Sequence, residues 1–268
     1  MDRKIHIMGI VNLTEDSFYA ASRADVSTAL ARIRRMQAEG ADLVDLGACS
    51  TRPGAAQPPL EEEWARLEPV LRQLSAETAV SIDTYRSETV RRAYDLIGPF
   101  MVNDISAGAL DPSMLETVGE LGLPYVAMHM RGTPETMQQQ TAYQDIVADV
   151  KAYFEAFAAR AEAAGIREWL LDPGFGFAKT LEQNYRLLNR LDALTVFGRP
   201  ILVGVSRKSM VYKPLGITPE EALPATQVVQ FAALEKGASW LRVHDVAEAV
   251  RTARLYSTIY TSSPGAAK

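Results

Sequence analysis

Short apolar runs, each followed by a small polar cluster, recur along the whole of this sequence. There are eight of them, and between them lie stretches in which apolar residues recur every three or four positions. An apolar run bounded by turn-forming residues is typical of a buried parallel strand, and the longer spacing is typical of a helix that packs on one face. The runs are Ile5–Val11, Leu43–Leu46, Ala79–Ile82, Phe100–Val102, Tyr125–Met128, Trp169–Leu171, Ile201–Val205 and Ser239–Leu241.

Alternating strands and helices of this number predict a (β/α)₈ TIM barrel of the α/β class. The chain has 268 residues, which suits one such barrel, since these domains typically take about 250 residues. We therefore expect a single domain over residues 1–260 and a small polar tail, 261–268, that frays. In such barrels the chemistry takes place on the loops after the carboxyl ends of the strands. This sequence has its unusual polar residues at those positions.

The composition narrows the possible classes of function. Apolar residues make up 47% of the chain and the formal net charge is −5, with no basic stripe, so nucleic acid is not an expected partner. No apolar run approaches the roughly 20 residues of a membrane span, and the first residues resemble no signal peptide. Cys49 is the one cysteine, so no internal disulfide can form. These features predict a cytoplasmic protein without a membrane partner.

Acidic and amide side chains follow three different predicted strands. They are Asp83, Asn103 and Asp172, and each one alone would be explained as a solvated residue of the barrel rim. Together at one barrel mouth they match a heterocycle that carries several N–H donors. Asp172 also opens the segment Pro173–Phe177, in which two glycines would let the backbone approach a ligand and two phenylalanines offer flat surfaces.

Basic clusters follow the last two predicted strands. Lys208 lies in the segment Ser206–Ser209, and Ser209 can open a helix whose amino terminus attracts an anion. Arg242 and His244 alternate, so they point to the same side of their strand. An arginine fork beside a histidine matches a clamp for a diphosphate.

Other kinds of chemistry find less support. The three histidines assemble no zinc site, and neither Ser50 nor Ser206 has a neighbouring histidine and aspartate that would make it a nucleophile. Asn12 follows the first strand and is neutral, so it would bind Mg²⁺ only together with ligand phosphates.

Taken in order, these motifs resemble those of the dihydropteroate synthase family of pterin-binding (β/α)₈ enzymes. The likeness spans nearly the whole chain. It is carried by Met8–Phe18, Ser50–Gly54, Ser81–Thr84, Val102–Ile105, Asp172–Phe177, Ser206–Ser209 and Arg242–Asp245.

The resemblance implies a transferase of folate biosynthesis. In this reaction 4-aminobenzoate displaces diphosphate from (7,8-dihydropterin-6-yl)methyl diphosphate and 7,8-dihydropteroate is formed. The resemblance also implies Mg²⁺ as cofactor, sulfonamides as inhibitors and a homodimer. It assigns Asp83, Asn103, Asp172 and Lys208 to the pterin, Arg242 and His244 to the diphosphate, Asn12 to the metal, and Thr51, Arg52, Pro53, Phe177 and Ser209 to the aminobenzoate.

The chain departs from the family pattern in its loops. Glu15 stands where proline is usual, Tyr19–Ser22 where the pattern has Asp-Gly-Gly, Cys49 where glutamate is usual, and Ala178 where glycine is usual. These changes affect loop stiffness more than the pterin pocket.

Two rival functions compete with the synthase. A pterin-binding methyl carrier that serves a corrinoid partner has no need for a basic clamp, and a non-catalytic relative would have lost part of it. This sequence keeps Lys208, Arg242 and His244, which favours the synthase.

Overall fold

Parallel strands form a barrel with helices packed around it, as the sequence predicts. The computed structural model describes residues 4–13, 23–49 and 57–261. Its strands are β1 (His6–Asn12), β2 (Leu43–Gly47), β3 (Val80–Asp83), β4 (Met101–Asp104), β5 (Tyr125–Met128), β6 (Trp169–Asp172), β7 (Leu202–Val203) and β8 (Trp240–Val243). Its α-helices are α1 (Arg23–Glu39), α2 (Leu60–Leu71), α3 (Ser87–Ile97), α4 (Met114–Leu121), α5 (Ile146–Ala163), α6 (Leu181–Asn189), α7 (Ser209–Tyr212), α8 (Leu223–Glu235) and α9 (Val246–Thr261).

The eight strands close into the predicted (β/α)₈ barrel. Their order in the sheet is β6-β5-β4-β3-β2-β1-β8-β7, and neighbouring strands are parallel. A parallel bridge between Leu171 of β6 and Ile201, which precedes β7, joins the two ends of that order. The carboxyl ends of the strands therefore meet at one mouth.

Several strands run one or two residues further than their apolar runs. Asp83 ends β3, Asp172 ends β6, and Asn103 lies within β4. Their backbones remain paired with the parallel neighbour, so these polar side chains are held on rigid strands rather than on loops. β7 is shorter than predicted, with two residues where the apolar run has five.

The inside of the barrel has an apolar floor below a polar layer. The floor consists of Met8, Leu43, Val126, Leu170 and Leu202, with Met101 and Trp240 partly buried against them. Residues two positions apart on a strand point to the same side. The residues two positions beyond four of the floor residues are Asp45, Asn103, Asp172 and Arg242. Strand alternation alone thus places these polar side chains inside the barrel and above the floor.

A larger apolar core lies between the strands and the surrounding helices. Tyr125, Phe154 and Phe157 are among its fully buried members, and burial of a large apolar side chain contributes roughly 1.5–3 kcal/mol. Two helix starts have side-chain caps: the Asp145 carboxylate accepts from two backbone N–H groups of α5, and Thr180 forms a capping box at α6. These caps satisfy backbone N–H groups in the first turns of α5 and α6. Within the described residues, no helix is both long and apolar enough to cross a membrane.

Candidate active site at the barrel mouth

A buried carboxylate, Asp45, ties together four strands at the centre of the polar layer. Asp45 is 0% exposed, and its Oδ1 accepts from the Ser81 hydroxyl at 2.6 Å. Its Oδ2 accepts from Asn103 Nδ2 at 3.1 Å and from Arg242 Nε at 2.6 Å. The same guanidinium donates from a terminal nitrogen to Asp83 Oδ2 at 2.7 Å. The structure thus brings three predicted site residues, Asn103, Asp83 and Arg242, into one network.

The charges in this network are buried, which shifts their pKa values. Burial raises the pKa of Asp83 to about 7, although Arg242 favours its ionised form. Burial also opposes the charge of Arg242, but Asp45 and Asp83 more than compensate and raise its pKa above the usual value. A buried charge is tolerated only when it is paired and hydrogen-bonded. Arg242 meets that condition, so it remains a cation between two carboxylates.

Asp172 and Lys208 form the opposite side of the mouth. Asp172 Oδ1 accepts from the Gly174 backbone N–H at 2.8 Å. Lys208 Nζ donates to the Phe175 carbonyl at 2.7 Å and lies 4.7 Å from the centre of the Phe177 ring. Burial raises the pKa of Asp172 and lowers that of Lys208 to about 8, while the two charges oppose these shifts. An acceptor, a cation and an aromatic face therefore line one side of the pocket.

The two glycines after Asp172 have different reasons for lacking a side chain. Both have positive φ, +67° at Gly174 and +85° at Gly176. A Cβ at Gly174 would lie 2.1 Å from the His129 carbonyl oxygen, whereas one at Gly176 would lie 3.5 Å from Lys208 Cδ. An added Cβ would therefore meet the protein's own backbone at Gly174 and the side chain of a predicted pterin residue, Lys208, at Gly176.

A buried lysine, Lys179, holds the segment after β6 to the end of β5. Its Nζ lies 2.9 Å from His129 Nδ1 and donates to the carbonyls of Gly174 at 2.9 Å and Phe177 at 3.0 Å. Burial lowers the pKa of His129 to about 2 and that of Lys179 well below its usual value. The neutral imidazole accepts from the lysine through Nδ1, so His129 has a structural role.

His244 follows β8 and contacts the segment after β7. Ser206 Oγ accepts from the His244 backbone N–H at 3.3 Å and lies 3.0 Å from its Nδ1. Burial and the charge of Arg242 lower the pKa of His244 to about 4. A nitrogen of the His244 ring is thus available for a hydrogen bond to an anion beside Arg242. The Arg207 guanidinium donates two hydrogen bonds to the Asp245 carboxylate, of 2.8 and 2.9 Å.

Asn12 ends β1 at the edge of the same pocket. A Cβ at Gly47 would lie 3.6 Å from Asp83 Oδ2 and 3.8 Å from Asn12 Oδ1, so the missing side chain leaves space between these two groups. No group of three His, Cys, Asp or Glu side chains among the described residues could hold a metal ion. The single oxygen of Asn12 fits an Mg²⁺ that takes its other ligands from phosphates and water.

The predicted aminobenzoate residues are only partly described. Phe177 is half-buried beside Lys208, and Ser209 is the half-buried first residue of α7. Thr51, Arg52 and Pro53 lie outside the described residues, as do Glu15, Tyr19–Ser22 and the predicted tail beyond Thr261.

Comparison with known proteins shows the family to which the chain belongs. The pattern of the pterin-binding enzymes matches residues 8–244 of the chain. The dihydropteroate synthase of Escherichia coli (strain K12) is 42% identical over 255 residues, which cover 93% of this chain and 90% of that protein. The chain belongs to the dihydropteroate synthase family.

Solved structures of the family have the same fold. The dihydropteroate synthase of Yersinia pestis, solved with a sulfonamide drug complex, superposes with a TM-score of 0.90 at 37% identity and covers 97% of this chain and 95% of its own. The Xanthomonas albilineans dihydropteroate synthase with 4-aminobenzoic acid gives 0.89 at 38% identity and covers 97% and 94%. Membership of this family makes the chain a transferase.

Sequence reasoning misses two residues of the site. Asp45 lies inside the run Leu43–Leu46, whose other members are apolar, and Lys179 follows Ala178 without a motif of its own. Asp45 could have been recognised as a charge in the middle of a strand that is buried on both sides, because a buried charge must have a partner. No local signal marks Lys179, since its partners are mostly backbone carbonyls.

Proposed function

We propose that this chain condenses (7,8-dihydropterin-6-yl)methyl diphosphate with 4-aminobenzoate and releases 7,8-dihydropteroate and diphosphate, in folate biosynthesis. The observation that carries the proposal is the set of three buried acceptor side chains that β3, β4 and β6 direct into one mouth beside Lys208. Family membership supports the same reaction.

The contacts within the protein determine which atoms are left for the pterin. Asp83 Oδ2 is engaged by Arg242, Asn103 Nδ2 by Asp45, and Asp172 Oδ1 by a backbone N–H. The atoms that remain are Asp83 Oδ1, Asn103 Oδ1 and Asp172 Oδ2, and all three are acceptors. A pterin carries several N–H groups on one edge and a carbonyl oxygen, which Lys208 Nζ can approach as a donor. The pocket therefore complements the pterin in its pattern of donors and acceptors.

The diphosphate would lie over Arg242 and His244, with Asn12 at the metal. Arg242 supplies charge and His244 a hydrogen bond, and a bound diphosphate would favour the protonated form of His244, whose pKa is otherwise lowered to about 4. We propose Mg²⁺ as the cofactor; when bound, it neutralises charge on the leaving diphosphate. Asn12 contributes one neutral oxygen, so the affinity for the metal depends on the phosphates.

Catalysis then rests on positioning and electrostatics rather than on a nucleophile. As diphosphate departs, positive charge develops on the pterin and its methylene carbon. Asp83 and Asp172 face this region as buried carboxylates, and preorganised charges in a dry site stabilise a transition state more than they do in water. Phe177 and Ser209, with Thr51, Arg52 and Pro53 by resemblance, would hold the aminobenzoate near that carbon. Sulfonamides are expected to compete for the same place.

We also propose a cytoplasmic homodimer. Val228 of α8 and Leu255 and Ile259 of α9 are 70%, 58% and 50% exposed, and the two helices pack side by side through the Phe231 and Tyr256 rings. Exposed aliphatic side chains on neighbouring helices favour a self-complementary contact with a second copy. Sedimentation of the protein and of Leu255→Glu tests this: a monomer in both would contradict the dimer.

The single cysteine, which is buried, suits a reducing compartment such as the cytoplasm.

One assay tests the reaction. Purified protein is mixed with the pterin diphosphate and Mg²⁺, and diphosphate release is followed with and without 4-aminobenzoate. We expect release that requires aminobenzoate, dihydropteroate as the second product, and loss of both in Lys208→Met. Methyl transfer to a corrinoid without diphosphate release would instead support a methyl carrier, and pterin binding without either reaction would support a non-catalytic relative.

A further inference from the structure

Asp45 has no place in the proposed reaction, yet it contacts two residues that do. We infer that Asp45 is a positioning residue that sets the donor and acceptor pattern of the pterin pocket and thereby its choice of heterocycle. The inference rests on the proposed function, because it concerns how the same pocket selects its ligand.

Asp45 cannot act on the ligand directly. It is 0% exposed, its Oδ1 accepts from Ser81, and its Oδ2 accepts from both Asn103 and Arg242. Both oxygens are therefore used within the protein. The hydrogen bonds of Asp45 therefore reach the ligand site through Asn103 and Arg242.

The first effect is on the orientation of the Asn103 amide. An amide can present either its oxygen or its nitrogen to the pocket, and the two orientations occupy the same space. A carboxylate that pairs with a guanidinium has only acceptors, so the atom 3.1 Å from Asp45 Oδ2 must be Asn103 Nδ2. The amide oxygen is thus forced toward the ligand.

The second effect is on Asp83 through Arg242. Asp45 holds the guanidinium by Nε at 2.6 Å, and a terminal nitrogen of the same planar fork then meets Asp83 Oδ2 at 2.7 Å. This contact fixes which oxygen of Asp83 remains for the ligand. Asp45 thus makes Asn103 present an acceptor and, through Arg242, sets which acceptor oxygen of Asp83 faces the ligand, so the pocket selects a heterocyclic edge made of donors.

The test compares two ligands that differ at that edge. Pterin has a 2-amino group, and its 2-oxo counterpart, lumazine, has an acceptor in the same place. Dissociation constants for both are measured by calorimetry on the full-length protein, on Asp45→Ala, on Asp45→Asn and on Ser81→Ala. Ser81→Ala is the matched control, because it removes a hydrogen bond of Asp45 but touches neither Asn103 nor Arg242.

We expect the unaltered protein to prefer pterin by about tenfold or more. Asp45→Ala frees the Asn103 amide to turn over, so the preference should fall to about threefold or less. Asp45→Asn should restore it, because Arg242 Nε can only donate and forces the new amide oxygen to face it, with Asn103 Nδ2 still bound there. Ser81→Ala should keep the preference. Where Asp45→Ala does not fold, Asp45→Ser, which is too short to reach both partners, takes its place.

The outcomes separate the inference from the proposed function. If the unaltered protein binds neither ligand, the proposed function fails. If it binds pterin without preference over lumazine, or if the ratio of the two dissociation constants is the same in Asp45→Ala as in the unaltered protein, Asp45 is only structural and the inference is overturned. A loss of affinity that is equal for both ligands counts as the second result.

Discussion

Replacement of Asp172 by asparagine should weaken pterin binding while the barrel stays folded. Asp172 ends β6, is 6% exposed and accepts the Gly174 backbone N–H through Oδ1. Because that N–H can only donate, the new side chain must present its oxygen to it. The amide nitrogen of the substituted side chain then faces the pocket, where the carboxylate offered an acceptor.

The size of the effect follows from the burial of this group. Asparagine brings a donor against an N–H donor of the pterin and removes a hydrogen bond to a charged acceptor, which is worth about 1.5–3 kcal/mol. That range corresponds to roughly a 10- to 150-fold loss of affinity. The fold should tolerate the change, because the side chains have nearly the same volume and burial already disfavours the charge of Asp172, whose pKa is raised.

Calorimetric titration of pterin into the two proteins measures the loss, and thermal unfolding checks the fold. The matched control is Asp145→Asn, since Asp145 also accepts backbone N–H groups but caps α5 at an exposed position. Asparagine caps helices about as well as aspartate, so the control should keep full pterin affinity. Binding by Asp172→Asn within about twofold of the unaltered protein would show that Asp172 merely shapes its turn.

Four further predictions concern single sites. Gly174→Ala should lower the free energy of unfolding by clearly more than Gly176→Ala, because its Cβ would collide with the His129 carbonyl. For Gly176→Ala only the strain of a left-handed backbone, about 1–2 kcal/mol, is expected. Equal losses in urea unfolding would contradict the collision. Ala178→Gly should change stability by less than about 1 kcal/mol, because relief of the strain at φ +48° is offset by the lost methyl burial and by chain entropy. Chelation of Mg²⁺ should stop diphosphate release, and Asn12→Ala should raise the Mg²⁺ concentration that the reaction requires. Unchanged turnover in excess chelator would contradict the proposed role of the metal. The Lys208 ammonium should lose its proton as pH rises through about 8, the value to which burial lowers its pKa, and an NMR titration with an ordinary lysine midpoint would show that burial does not govern it.

The sequence is sufficient to predict the barrel because the eight apolar runs and the helical spacing between them both indicate alternating strands and helices. Apolar runs mark the strands, the helical spacing marks the segments between them, and length restricts the chain to one barrel. The strand ends are less well predicted. The pattern places Asp83 and Asp172 after their strands, whereas parallel neighbours pair the backbone as far as these residues. A polar side chain on a paired strand looks in sequence the same as one on the loop after it.

The site is predictable as a set of residues but not as a network. The sequence predicts Asn103, Asp83 and Arg242 separately, and nothing in it indicates that two carboxylates of the pocket bind Arg242. Partners 159 and 197 residues away along the chain leave no local pattern. The neutral state of His244 is likewise out of reach, because its lowered pKa depends on burial beside Arg242.

The charges of the pocket indicate why its acidic groups are costly to the fold and useful to the reaction. Asp45, Asp83 and Asp172 stand against Lys208 and Arg242, so among these five groups one negative charge is in excess. Burial raises the pKa values of Asp83 and Asp172, because it disfavours both carboxylates more than the cations favour them. When diphosphate leaves, the pterin becomes a further positive partner. A pair of opposite charges 4 Å apart gains about 4 kcal/mol at an effective dielectric constant of 20. Because this attraction is absent from the neutral ground state of the heterocycle and present in the transition state, it lowers the barrier rather than only tightening binding.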